Sequence, residues 1–85
     1  MKSNMEEMLE FPLLYTYKAM GENNDDFIED IKNVFKSAYI QDFRETKSSK
    51  GTYTSVSVTV TVNNFDELQD TYKKIKAVKG LKYHL

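Results

Sequence analysis

Thr52-Tyr53-Thr54-Ser55-Val56-Ser57-Val58-Thr59-Val60-Thr61-Val62 is the stretch that decides the fold. Valines at 56, 58, 60 and 62 alternate with hydroxyl side chains at 55, 57, 59 and 61. Successive side chains on a strand point to opposite faces, so this is a strand with one valine face and one hydroxyl face. Its β-branched residues suit the pleated conformation. A strand that is apolar on one side only belongs to an antiparallel sheet, covered on one face and wet on the other.

The flanks supply the partners. Immediately upstream, Ser48-Ser49-Lys50-Gly51 reads as a hairpin loop, with Gly51 free to take a positive φ. Residues 39–47 before it form a second strand, charged and poorly patterned, as an edge strand guarded against pairing would be. Downstream, Phe65, Leu68, Tyr72 and Ile75 recur at helical spacing and predict a helix over residues 65–77. Asn64 is its cap, Glu67 completes a capping box, and Lys73, Lys74 and Lys76 sit where the helix dipole favours cations. After Gly80, Leu81, Tyr83 and Leu85 alternate with Lys82 and His84 in a short last strand.

The N-terminal half repeats the pattern. Residues 12–20 read as a strand opened by Pro12, with Tyr15, Tyr17 and Ala19 on one face and Leu14, Thr16, Lys18 and Met20 on the other. Residues 21–24 are turn chemistry. Phe27, Ile28, Ile31, Val34, Phe35 and Ala38 then form one face of a helix over residues 25–38. Asp25 or Asp26 caps it, with Glu29 as the capping-box glutamate. Residues 1–10 read as a flexible tail and residues 11–85 as a single domain. The order βαββαβ predicts an α+β ferredoxin-like two-layer sandwich. Its four-stranded antiparallel sheet runs in the order 4-1-3-2, with both helices on one face.

Composition bounds the function. Eighty-five residues make one domain, and 40% hydrophobic with 29% charged residues is ordinary for a globular one. There is no cysteine, which excludes disulfides, thiolate zinc sites and iron–sulfur clusters and favours a reducing, cytoplasmic setting. No stretch has the length of a signal peptide core or a membrane span. Net charge is −1, which gives no strong pull toward nucleic acid or an anionic membrane. The charge is uneven, though: residues 1–45 hold ten acids and five bases, residues 46–85 three acids and seven lysines. Solvated faces that attract one another weakly explain this; a basic face for an acidic partner is the sharper alternative.

Chemistry is sparse. His84 is the sole histidine and has no sequence neighbour to position it as a base, so it is expected in solvent. The acid pairs Asp25-Asp26, Glu29-Asp30 and Asp66-Glu67 fall at helix starts, where capping accounts for them, and no metal-binding spacing occurs. The hairpin Ser48-Ser49-Lys50-Gly51 offers hydroxyls, a charge and backbone donors to an anion, although an exposed turn needs no such role. Tyr53 shares the hydroxyl face, but the facing side of the first strand carries no aromatic, which argues against RNA stacking on the sheet. Leu14 and Met20 add a small apolar patch able to seat a second sheet, in a homodimer or a partner complex.

Several of these residues resemble one family. Leu9-Glu10-Phe11-Pro12, then Lys18, Met20 and Gly21, and above all Ser48-Ser49-Lys50-Gly51 followed by Tyr53 and Ser55-Val56-Ser57-Val58-Thr59, are similar to the YbeD-like family of small bacterial proteins. The similarity runs from about residue 9 to residue 85. Lys47 stands where many members carry proline. The resemblance implies a fold like that of ACT regulatory domains, and through it a role in regulation by ligand or partner binding; no ACT site motif occurs in this chain. The expectation is therefore a non-enzymatic regulatory or interaction module without cofactor or metal. Lys18, Ser48, Ser49, Lys50 and Tyr53 are its candidate contacts with a partner protein or small ligand. The alternative is a nucleic-acid-binding domain using Lys73, Lys74, Lys76, Lys79 and Lys82. An enzyme ranks last, since it would need a constellation assembled across a dimer.

Overall fold

The computed structural model describes residues 9–84, so most of the expected tail, and Leu85, lie outside the described residues. The elements are β1 (Leu13–Glu22), α1 (Asp25–Val34), β2 (Ile40–Lys47), β3 (Tyr53–Val62), α2 (Phe65–Lys76) and β4 (Leu81–His84). The sheet order is β2-β3-β1-β4, all antiparallel, which is the expected topology. Among the described residues no helix is long and apolar enough to cross a membrane.

The valine row packs as its alternation requires. Val56, Val58, Val60 and Val62 are buried with Tyr17 and Ala19 of β1 beneath Phe27, Ile31 and Phe35 from the first helical segment and Leu68 and Ile75 of α2. Each valine, leucine, isoleucine or phenylalanine among them stabilises by roughly 1.5–3 kcal/mol when fully buried. Leu9 and Phe11 pack partly against this core. β1 and β3 pair along their whole lengths, from Leu13↔Val62 to Glu22↔Tyr53, and form the centre of the sheet.

Local expectations are corrected in both helices and in the last strand. The first helix ends at Val34, not at residue 38. Beyond it the bonds tighten to three-residue spacing, Phe35 N to Lys32 O at 3.1 Å and Ala38 N to Phe35 O at 3.0 Å, while Phe35 still reaches the core. Apolar spacing cannot tell such a turn from helix. Its cap is Asn24, whose Oδ1 accepts from Phe27 N at 2.7 Å; Asp25 and Asp26 lie in the first turn. At α2 Asn64 does cap, accepting from Glu67 N at 2.8 Å, but Glu67 reaches back to the N–H of Asn63 rather than that of the cap residue.

The correction in the last strand matters for function. β4 does not keep its alternation, because Met20 pairs with Tyr83 while Gly21 pairs with Leu81. Lys82 is surplus, a β-bulge. Leu81 and His84 therefore both share the helix side with Gly21 and Ala19, and Tyr83 turns to the open face beside Met20. Gly21 is needed there for space. A Cβ on it would collide with the Phe27 ring and lie 2.7 Å from the carbonyl of Gly80.

Candidate functional site

The β2–β3 hairpin is a closed turn. Ser48 N donates to Tyr53 O at 2.9 Å, Tyr53 N donates to the Ser48 hydroxyl at 3.2 Å, and Gly51 N donates to Ser48 O at 2.9 Å. Gly51 takes φ 71°, a conformation open to glycine at little cost. The side chain of Asn23 donates to Gly51 O at 2.8 Å and its N–H to Thr52 O at 3.2 Å, tying the hairpin to the β1–α1 turn. The backbone N–H groups of Ser48, Gly51 and Tyr53 are thus spent internally. That reduces the anion cradle expected of this loop to hydroxyls and the Lys50 ammonium.

Ser48, Ser49, Lys50 and Tyr53 are brought together around a shallow pocket of about 190 Å³, completed by Thr52. A second depression of about 140 Å³ continues from Ser48 and Tyr53 to Met20 and Thr46. Lys18 does not join them. It lies opposite Ser57, four residues along β3 from Tyr53, or roughly 13 Å at strand spacing. Its row ends in Arg44, which is held at 2.9 Å by Asp42.

The residue that sequence reasoning missed is Tyr83. The bulge places it next to Met20, and Met20 is flanked on β3 by Ser55, two residues from Tyr53. Tyr83, Met20 and Tyr53 are 56%, 39% and 40% exposed, and they form an aromatic–thioether patch at the hairpin end of the helix-free face. Leu14, 63% exposed, sits at the far end of β1 and is not part of it. No signal in the Leu81-Lys82-Tyr83 alternation discloses the switch.

The helix side carries a separate groove. Phe65, Leu68, Gln69, Tyr72, Lys73 and Lys76 of α2, with His84 of β4, line about 440 Å³. His84 is thus not in solvent as expected. Its Nδ1 is buried with no hydrogen-bond partner among the described residues, and its ring lies 5.7 Å from that of Tyr72. Tyr72 shares a 2.6 Å hydrogen bond with the hydroxyl of Tyr15. Burial pushes the Tyr72 phenol well above its ordinary range, and the bond to Tyr15 adds to the shift. Burial also raises Tyr17, and the neighbouring Thr71 hydroxyl, which donates to Glu67 O at 3.0 Å, tempers that shift; the Tyr17 hydroxyl itself has no hydrogen-bond partner among the described residues.

Among the described residues, no ion pair links the acidic α1 to the basic α2, and no three histidine or acidic side chains converge as metal ligands. Lys73, Lys74 and Lys76 remain available to a binding partner.

Comparison with known proteins matches this geometry. The family model described as a protein of unknown function, DUF493, covers residues 6–85. A UPF0250 protein of Haemophilus influenzae is 37% identical over 84 residues, 94% of this chain and 89% of that protein. A UPF0250 protein of Enterobacter sp. strain 638 is 34% identical over 77 residues, 88% of each. Among solved structures, protein HP0495 from H. pylori superposes with TM-score 0.77 at 19% identity, covering 100% of this chain and 94% of that one. The ACT domain of the GTP pyrophosphokinase of Chlorobium tepidum gives TM-score 0.71 at 19% identity over 86% and 97%. With the βαββαβ order, the hairpin run and the family model all spanning the same residues, this chain belongs to the DUF493/UPF0250 family, the YbeD-like proteins, and has the fold of an ACT domain.

Proposed function

We propose that this protein is a non-enzymatic regulatory or interaction module that engages a partner protein through the hairpin end of its helix-free sheet face. The observation that carries the reading is the pairing of Met20 with Tyr83 across the β4 bulge, which assembles Tyr83, Met20 and Tyr53 into one exposed patch beside Lys50. Tyrosine and methionine are both enriched at protein interfaces, tyrosine because it buries much area for little lost freedom and methionine because it adapts to irregular surfaces. Bulges recur where a sheet must re-aim a side chain for function. The internally bonded hairpin presents Lys50 and Ser49 from a rigid turn, which limits the ordering cost of binding. The ACT domain carried by a GTP pyrophosphokinase shows that a fold of this kind serves as a module within a larger protein.

Site-specific photo-crosslinking in cells tests the reading. A crosslinker at position 53 or 83 should give one discrete adduct, and a crosslinker at Lys36, beyond α1, should not. Lys50→Glu should leave the melting temperature unchanged and weaken the adduct. Adducts of this chain with itself would reassign the patch to a homodimer. Equal capture by the Lys50→Glu variant, or unfolding of that variant, would remove Lys50 from the site. A thermal-shift screen against amino acids, nucleotides, acyl cofactors and anions tests the small-ligand form of the same reading. A ligand at about a hundred times its dissociation constant stabilises by roughly 2.7 kcal/mol.

A further inference from the structure

β1 is ten residues long, and β3 pairs with all of it. β4 pairs only with Ala19, Met20 and Gly21. On the β4 side, residues 13–18 therefore have no strand neighbour among the described residues. Alternate residues in an antiparallel edge turn both N–H and C=O outward, so among the described residues this is a ladder about 20 Å long without a partner strand. Such an edge is a template for another extended chain.

The groove on α2 meets this edge at two points, through Tyr72, which bonds to Tyr15, and through His84, the last described residue paired with β1. Phe65, Leu68 and Tyr72 are its apolar bed, running along the helix, and His84 marks the point where β4 stops. The Tyr15–Tyr72 hydrogen bond fastens the helix to the middle of the unpaired stretch. A strand continuing the line of β4 would thus hydrogen-bond to β1 on one side and lay every second side chain against α2. The rim is positive: Lys73 and Lys76 line the groove and no acid does. His84 Nδ1 adds a buried polar atom without a partner at the same mouth.

We propose that residues 13–18 and the α2 groove together form a strand-addition site for an extended, acidic segment of a partner protein, one in which apolar residues alternate with Asp or Glu. Main-chain bonds to β1 supply affinity, the apolar bed reads alternate side chains, and the two lysines select the charge. This surface lies at the β4 edge of the sheet and is separate from the Tyr83–Tyr53 patch, so the two stand or fall independently.

The test uses the full chain and a blocked synthetic peptide of alternating glutamate and valine. Binding is followed by amide chemical shifts and hydrogen exchange. In the free protein, alternate amides of residues 13–18 should exchange fast. Peptide should slow them and shift the signals of Tyr72 and His84. Lys73→Glu combined with Lys76→Glu should keep the fold and weaken binding about tenfold or more. Methylating alternate peptide nitrogens should abolish binding, which a groove that reads side chains alone would not require. The proposal fails if a control peptide of alternating lysine and valine binds equally well, if nothing binds, or if the shifts fall elsewhere. It fails too if the edge amides are already protected in the free monomer, which would mean that the chain covers its own edge. Protection that grows with protein concentration would assign the edge to a second copy.

Discussion

Tyr15 on β1 and Tyr72 on α2, fifty-seven residues apart in the chain, share a hydroxyl–hydroxyl hydrogen bond of 2.6 Å. Their rings meet edge to face with centroids 6.2 Å apart, and Tyr17 joins both, at 4.9 Å from Tyr15 and 5.0 Å from Tyr72. Edge-to-face packing of this kind adds about 0.5–1.5 kcal/mol per pair beyond burial. The cluster fixes α2 over the sheet and shapes the groove beside it.

The phenols make stability fall in alkali. Tyr72 and Tyr17 are both raised above the ordinary tyrosine value of 10.0, mainly by burial, so the folded chain holds these protons more tightly than the unfolded chain does. Their contribution is complete below about pH 10 and is lost as pH rises from there toward the folded-state values. Urea midpoints should be level near pH 8 and decline above pH 10. Tyr72→Phe should flatten that decline without abolishing it, since Tyr17 remains. An unchanged slope in the variant would show that other groups drive the loss.

Tyr17→Phe should stabilise the protein. The Tyr17 hydroxyl is buried without a hydrogen-bond partner among the described residues, while its ring is fully packed. Removing an unsatisfied hydroxyl and keeping the ring is expected to gain about 1 kcal/mol, or about 4–8 °C in melting temperature. A calorimetric scan decides it, and a lower melting temperature would mean that the hydroxyl is bonded in solution.

Gly21→Ala should destabilise by about 1–3 kcal/mol, because the added methyl has no room between the Phe27 ring and the Gly80 carbonyl. Gly21 pairs with Leu81 at the bulge, so amide exchange in β4 should quicken as well. Urea denaturation and exchange on one sample test both statements.

Asn24→Ala should cost about 1 kcal/mol, the worth of a side-chain cap, whereas Asp26→Ala should cost only about 0.3–1 kcal/mol through the helix dipole. Equal losses in thermal denaturation would restore the aspartate as the capping residue.

The architecture was legible wherever the periodicity was long. The four alternating valines and the two helical faces specify the central strand, the helices and the side of the sheet they cover. Strand order follows from connection rules, and it holds here. What was not legible depends on single residues. A run of apolar positions reads the same whether the last turn is helical or tightened, so the end of α1 at Val34 was missed. Three consecutive turn residues, Asn24, Asp25 and Asp26, are all capping types, and only backbone geometry selects Asn24. Ser48, Ser49, Lys50 and Tyr53 were grouped by proximity in the chain, and they do line one pocket. Lys18 was grouped with them by face alone, and distance along the strand separates it. His84 was expected in solvent, and the regular alternation read for the last strand left no room for Lys82 as a surplus residue that inverts a period of two.

That surplus residue also sets what both faces of the sheet carry at its β4 edge. Tyr83 faces the open side and His84 the helix side only while Lys82 stays out of register. A slip of β4 by one position at its C-terminal end would turn the tyrosine inward and the histidine outward together. One residue out of register in a four-residue strand thus decides which side chain the open face and the groove each receive at this edge of the sheet.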